Sequence, residues 1–262
     1  MCDVTENARA DCSPTSLGSR FLDAAIELLR EVRDREGAAV AKAATLLADT
    51  VTAGGRLFAY GAGHSALPAH DLVYRAGGLA LVNLLTVPGT SGVDVSPATL
   101  GSALEHVGGL ATAALDSVPA EAGDLLIVVS LSGRNTLPVE MASHARDRGL
   151  TVIGATSARY AELTSSRHPS GTFLKDHCDV VLDSRVPYGD TTLTSDGIDA
   201  PFAPASTVVT CALLQAVVAE AAGLLAARGI QPPLLRSANV DGGPEWNERV
   251  FAEHADRILW RR

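Results

Sequence analysis

The apolar run Ile127-Val128-Val129 stops abruptly in Ser130-Leu131-Ser132-Gly133-Arg134-Asn135, after which residues 135–148 carry apolar side chains at helical spacing. This predicts a strand over residues 124–130, a tight polar turn, and a helix. Backbone N–H groups at a helix N-terminus have no intrahelical partner, and the macrodipole adds positive potential there. Small hydroxyl side chains in the turn donate to an anion without blocking its approach, so the turn predicts a phosphate-bearing ligand.

The same arrangement occurs earlier. Residues 56–60 form an apolar run that ends in Gly61-Ala62-Gly63-His64-Ser65, followed by a helical pattern over 66–76 and a second strand over 79–83. Residues 100–118 read as one helix, and 150–154 and 180–183 as further strands. Strands alternating with helices of about 10–15 residues predict right-handed βαβ units. The expected fold is α/β, a doubly wound parallel five-stranded sheet covered by helices on both faces. Ligands of such sheets sit outside the carboxyl ends of the strands, where both polar turns fall.

Residues 21–53 form an N-terminal helical region with Gly37 as its break, and residues 203–227 are the longest apolar segment. Gln215 and Glu220 interrupt that segment and Arg228 closes it, so it reads as a core or subunit-interface helix rather than a membrane span. Proline and glycine thicken over 187–204 and 231–244, which predicts loops. The polar first residues lack the apolar centre of a secretory signal. Residues 1–18 are expected to be a flexible tail and 19–262 a single domain.

Composition excludes several classes. A net charge of −9 leaves no basic face for a nucleic acid or an anionic membrane. Ala66 stands where a dinucleotide fingerprint needs its third glycine, and no P-loop motif occurs. Cys2, Cys12, Cys178 and Cys211 are scattered, which fits free thiols in a reducing cytosol. The seven histidines show no paired zinc spacing.

Taken together, Gly61-Ala62-Gly63-His64-Ser65 and Ser130-Leu131-Ser132-Gly133-Arg134-Asn135 resemble the two loops of the sugar isomerase (SIS) domain family. The family's phosphate loop is written S-x-S-G-x-T; Ser130, Ser132 and Gly133 match it, and Asn135 replaces threonine, an exchange that keeps a donor and a helix cap. The segments Tyr74-Arg75-Ala76-Gly77-Gly78-Leu79, Ser166-Arg167-His168-Pro169-Ser170-Gly171 and Ser237-Ala238-Asn239-Val240-Asp241-Gly242-Gly243 are similar to a bacterial subgroup associated with N-acetylglucosamine 6-phosphate dehydration. The resemblance implies a flavodoxin-like three-layer sandwich, a cytoplasmic homodimer, a sugar-phosphate ligand and no cofactor. Its chemistry is abstraction of a proton alpha to the carbonyl of an open-chain sugar phosphate. Return of that proton to the neighbouring carbon is an isomerisation, and departure of the C3 substituent is a β-elimination. The resemblance leans to elimination; an aldose–ketose isomerase and a non-catalytic sugar-phosphate sensor are the alternatives.

The candidate catalytic residues are Glu105, His106, Glu36 and His64. Glu105 is favoured as base, against the alternative of a solvated helix carboxylate. Glu36, beside the helix break, is either a group lent to a partner's site or a surface charge. His64 follows the glycine turn directly, a place better explained by a pocket than by packing. The substrate-binding candidates are Gly63, Ser65, Ser130, Ser132, Gly133, Arg134, Asn135, Arg167, His168 and Asn239. Of these, Asn239 rests on the resemblance, since turn chemistry alone accounts for it.

Overall fold

A computed structural model describes residues 16–92 and 96–261. The N-terminal region is two helices, α1 (Leu17–Arg35) and α2 (Gly37–Thr52). Strand β1 (Leu57–Gly61) passes through a 3-10 turn (Gly63–Ser65) into α3 (Ala66–Asp71), and β2 (Val82–Leu84) follows. Helices α4 (Ala98–Leu104) and α5 (Leu110–Asp116) lead to β3 (Leu125–Val129), α6 (Thr136–Asp147) and β4 (Thr151–Thr156). After α7 (Ala158–Leu163) and a 3-10 turn (Leu174–His177) come β5 (Val180–Asp183), β6 (Leu193–Ser195) and β7 (Ile198–Phe202). Two helices, α8 (Ser206–Ala227) and α9 (Gly243–Glu253), complete the chain.

The main sheet has five parallel strands in the order β2-β1-β3-β4-β5. Because strand side chains alternate between faces, Leu57, Ala59, Leu125 and Ile127 pack beneath α2 and α8, while Phe58, Tyr60, Leu126 and Val128 pack beneath α5 and α6. Each fully buried side chain of this size contributes about 1.5–3 kcal/mol, so the strands carry much of the stability. The chain leaves β1 toward β2 and returns to β3 on the other side. That reversal opens a crevice at the carboxyl ends of β1 and β3.

Several expectations are corrected. The helix expected over 100–118 is two helices, because Gly108 and Gly109 follow Glu105 closely and Gly109 takes the left-handed conformation, φ 87°. The carboxylate of Glu140, on α6, caps the restart: it accepts from Gly109 N at 2.9 Å and from Thr112 Oγ1 at 2.6 Å. The proline- and glycine-rich stretch 187–204 contains the antiparallel pair β6–β7 rather than loop alone, and α9 begins at Gly243, inside the stretch 231–244 expected to be loop. Helix α1 begins inside the segment expected to be tail; residues 1–15 lie outside the described residues. Among the described residues, α8 is the one helix long and apolar enough to cross a membrane. Here Val209, Leu213, Leu214 and Val217 bury it against the sheet layer and α2.

Glu36 sits at the α1–α2 break and is neither a surface charge nor a lining residue of the crevice. It is 4% exposed; Oε2 accepts from Asp183 N at 3.1 Å and Oε1 pairs with the Arg185 guanidinium. It ties the helical layer to the end of β5, and Arg185 is held in the left-handed region, φ 59°. Glu36→Ala leaves the buried Asp183 amide without its acceptor and the half-buried Arg185 guanidinium with Asp183 as its remaining ion-pair partner. It is expected to cost about 3 kcal/mol, the lower end for a broken buried pair. At about 2–4 °C per kcal/mol, calorimetry should show the unfolding midpoint falling by roughly 6–12 °C, and a fall below about 2 °C would refute the assignment.

Candidate functional site

The crevice is a cleft of about 200 Å³. Its floor is built from the two turns. Gly61 ends β1 so closely against the following turn that no side chain fits, and the chain then delivers His64 and Ser65 to the cleft wall. At the end of β3, Ser130 is buried, and its Oγ accepts from Gly133 N at 3.2 Å, which closes the turn on itself. Leu131 N donates across to Ser65 Oγ at 3.4 Å, so the two loops are joined directly. Ser132 and Asn135 face the same space.

Asn135 occupies the cap position of α6 without capping it by its side chain. Its Nδ2 instead donates to Glu105 Oε2 at 2.7 Å, while Oδ1 accepts from Arg167 Nη1 at 3.4 Å. No side chain caps the first turn of α6, Pro138 within that turn carries no N–H, and the dipole points at the cleft. Leu137 N is taken up by the Glu105 carbonyl at 3.1 Å, which anchors Glu105 to α6 through its own backbone. Glu105 is the residue after α4, where the helix stops, and its carboxylate lines the cleft. Beneath it, the Tyr60 hydroxyl is pushed above its ordinary range, first by burial and next by the charge of Glu105. It therefore stays a protonated donor.

The opposite wall comes from residues that the sequence pattern did not single out. Tyr160 of α7, Asp190, and Ser206, Thr207 and Thr210 of α8 line it. Asp190, in the left-handed region at φ 54°, accepts from Ser206 N at 3.0 Å and Ser206 Oγ at 2.6 Å. It thus caps α8 from sixteen residues away in the chain. Tyr160 Oη accepts from Gly189 N at 3.0 Å, and its ring lies 5.0 Å from that of Tyr188, so α7 braces the loop. The Ser206-Thr207 pair opening an apolar helix was the available sequence signal. Nothing local connected it to Asp190.

The cleft thus gathers His64, Ser65, Glu105, Ser130, Ser132 and Asn135 of the sequence candidates. Gly63 and Gly133 shape the turns behind it: Gly63 N donates to Thr90 O, and Gly133 O accepts from Leu174 N, both at 2.8 Å. Arg134 and Arg167 stand behind Asn135, with Arg167 N donating to Arg134 O at 2.8 Å. His106 and Asn239 are exposed and do not line the cleft, and His168 is engaged within its own loop. No lysine or arginine is among the described lining residues, whose acids are Glu105 and Asp190. An anion here would be held by hydroxyls, amides and the α6 dipole.

The SIS domain family matches residues 20–157. A UPF0309 protein of Streptomyces avermitilis is 67% identical over 250 residues, which cover 95% of this chain and 100% of that one. A UPF0309 protein of Shouchella clausii is 35% identical over 239 residues, covering 91% and 97%. Among solved structures, phosphoheptose isomerase from Neisseria gonorrhoeae superposes with a TM-score of 0.52 at 22% identity, over 79% of this chain and 96% of that one. The Vibrio vulnificus NanR protein complexed with ManNAc-6P superposes with a TM-score of 0.50 at 14% identity, over 95% and 71%. These two have the same fold as this chain. The family match ends at residue 157, before Tyr160, Asp190 and the α8 hydroxyls.

Proposed function

The chain belongs to the SIS domain family, and from that premise we propose that it is an enzyme of sugar phosphates, removing water from an amino-sugar 6-phosphate with N-acetylglucosamine 6-phosphate as favoured substrate. The observation that carries this reading is the placement of one carboxylate, Glu105, in the same cleft as the Ser130–Asn135 turn. Phosphate is assigned to Ser130, Ser132, Asn135 and the Thr136 amide that opens α6, which leaves the sugar chain extended toward Glu105. Glu105 takes the C2 proton of the open-chain aldehyde, and the C–H electron pair moves into the carbonyl to give an enolate that keeps the acetamido group on C2. That intermediate re-forms the carbonyl and expels the C3 hydroxyl, which leaves as water with a proton from His64, the exposed imidazole on the cleft wall. On a sugar phosphate with a C2 hydroxyl the same abstraction gives an enediolate, and its reprotonation at C1 would make the site an aldose–ketose isomerase.

The fold is shared with phosphoheptose isomerase and with the NanR protein in its ManNAc-6P complex. Both are consistent with a sugar-phosphate ligand. The reading includes a cytoplasmic homodimer, in which a second copy would cover the exposed Leu22 and Ile26 of α1.

The test is incubation with N-acetylglucosamine 6-phosphate and a panel of hexose and heptose phosphates in deuterated water, followed by proton NMR and mass spectrometry. Loss of one water is the expected result. An isomeric product with solvent deuterium would replace elimination by isomerisation, and saturable binding with no turnover would replace both by sensing.

A further inference from the structure

A row of four side chains in continuous hydrogen-bond contact runs through the loop after α7 and ends at His177 in the Leu174–His177 turn. His177 Nε2 lies 2.7 Å from Thr172 Oγ1, which lies 2.6 Å from Ser170 Oγ, which lies 2.7 Å from His168 Nδ1. One further bond sets the direction of the whole row. Ser170 N also points at His168 Nδ1, at 3.2 Å, and a backbone amide can only donate. Nδ1 therefore carries no proton, and His168 is the neutral tautomer protonated at Nε2. Ser170 Oγ must then donate to Nδ1, Thr172 Oγ1 to Ser170, and His177 Nε2 to Thr172.

The same loop carries Arg167. Its amide donates to Arg134 O, its guanidinium reaches Asn135 Oδ1, and Asn135 Nδ2 holds Glu105. A proton on His168 Nδ1 would oppose the Ser170 amide, donor against donor, and the turn would have to open.

We propose that neutral His168 is a positioning residue: by accepting at Nδ1 it holds the 166–173 turn that presents Arg167 to Asn135, and so aims the Asn135 amide at Glu105. This assignment rests on Glu105 being the base of the proposed reaction, and it replaces the expectation that His168 touches the ligand. The charged groups around the row are Arg167 on the loop itself, Asp176 in the following turn, and Arg146 and Asp147 on α6. Burial lowers the affinity of His177 for a proton, which favours the neutral form at that end of the row as well.

The test compares His168→Leu with His168→Asn, whose Oδ1 can accept in place of Nδ1 without titrating. His168→Leu is expected to reduce kcat about 10²-fold, the scale of a small misplacement of a catalytic group, with KM little changed. His168→Asn should recover most of kcat, because its Oδ1 accepts in the place of Nδ1. A readout independent of turnover is the side-chain amide resonance pair of Asn135, which His168→Leu should move and His168→Asn should leave in place. Unmoved Asn135 resonances in His168→Leu, or equal loss of kcat in both variants, would overturn the proposal. Absence of turnover by the unaltered protein on the whole panel would instead overturn the functional reading, and the Asn135 resonances would still decide the role of His168.

Discussion

Glu105→Gln is expected to lower kcat on the cognate sugar phosphate by about 10²–10⁴-fold, the usual contribution of a positioned general base. Glutamine keeps an oxygen that accepts from Asn135 Nδ2, and the backbone carbonyl that anchors α6 through Leu137 is untouched. The substitution therefore removes proton affinity while leaving the local geometry in place. Binding of inorganic phosphate, followed by calorimetry, should be unchanged within about threefold, and the unfolding free energy should move by about 0.5 kcal/mol or less. A loss of kcat smaller than about tenfold would assign the base to another group, since general-base removal costs more than that. The remaining carboxylate of the cleft, Asp190, is committed by three hydrogen bonds to capping α8.

Gly61→Ala should have the largest effect on folding. A Cβ built on Gly61 falls 2.1 Å from the Ser65 carbonyl oxygen and 2.5 Å from its carbon. Those atoms are backbone of the turn entering α3, so no side-chain rotation relieves the overlap. Either β1 withdraws from its register with β2 and β3, or the Gly63–Ser65 turn moves and takes His64 and Ser65 out of the cleft. We expect a cost of about 4 kcal/mol or more, in the range reserved for overpacking and forced backbone shifts. Gly37→Ala is the internal control: its added Cβ meets nothing within 4 Å, at the first residue of α2. That change should stabilise by about 0.4–1 kcal/mol through the unfolded chain. Similar urea midpoints for the two variants would mean that the β1 turn tolerates a side chain, and the close-approach argument would fail.

Much of the architecture was legible because it depends on local pattern. The run through Ile127-Val128-Val129 is apolar at every position since both sheet faces are covered, and it ends where two serines and a glycine make a turn. Those residues predicted β3, α6 and the polar turn between them, and the strand at 180–183 fell where it was expected. The helix over 100–118 failed for an identifiable reason. Its apolar spacing continues across the break, but Gly109 and the Glu140 cap, thirty-one residues away, divide it. Glu105 was legible as a candidate, although its reason for facing the cleft was not: it stands where the helix ends, held through Asn135.

Tertiary structure alone decided the rest. Glu36 reads as one more charge in Arg33-Asp34-Arg35-Glu36 until Arg185, from the far end of the sheet, buries it. The outer wall of the cleft brings Asp190 and Ser206 onto the same space as Ser65 and Ser132, although 125 residues separate Ser65 from Asp190. By itself the sequence determined the strands of the main sheet and that a polar turn ends β3, because strand pattern, turn chemistry and helix termini act between neighbours. The partners of Glu36 and the break before Gly109 depend on groups that meet only once the sheet has closed. A polar side chain's partner is set by which donors share its buried space, and chain order does not carry that information.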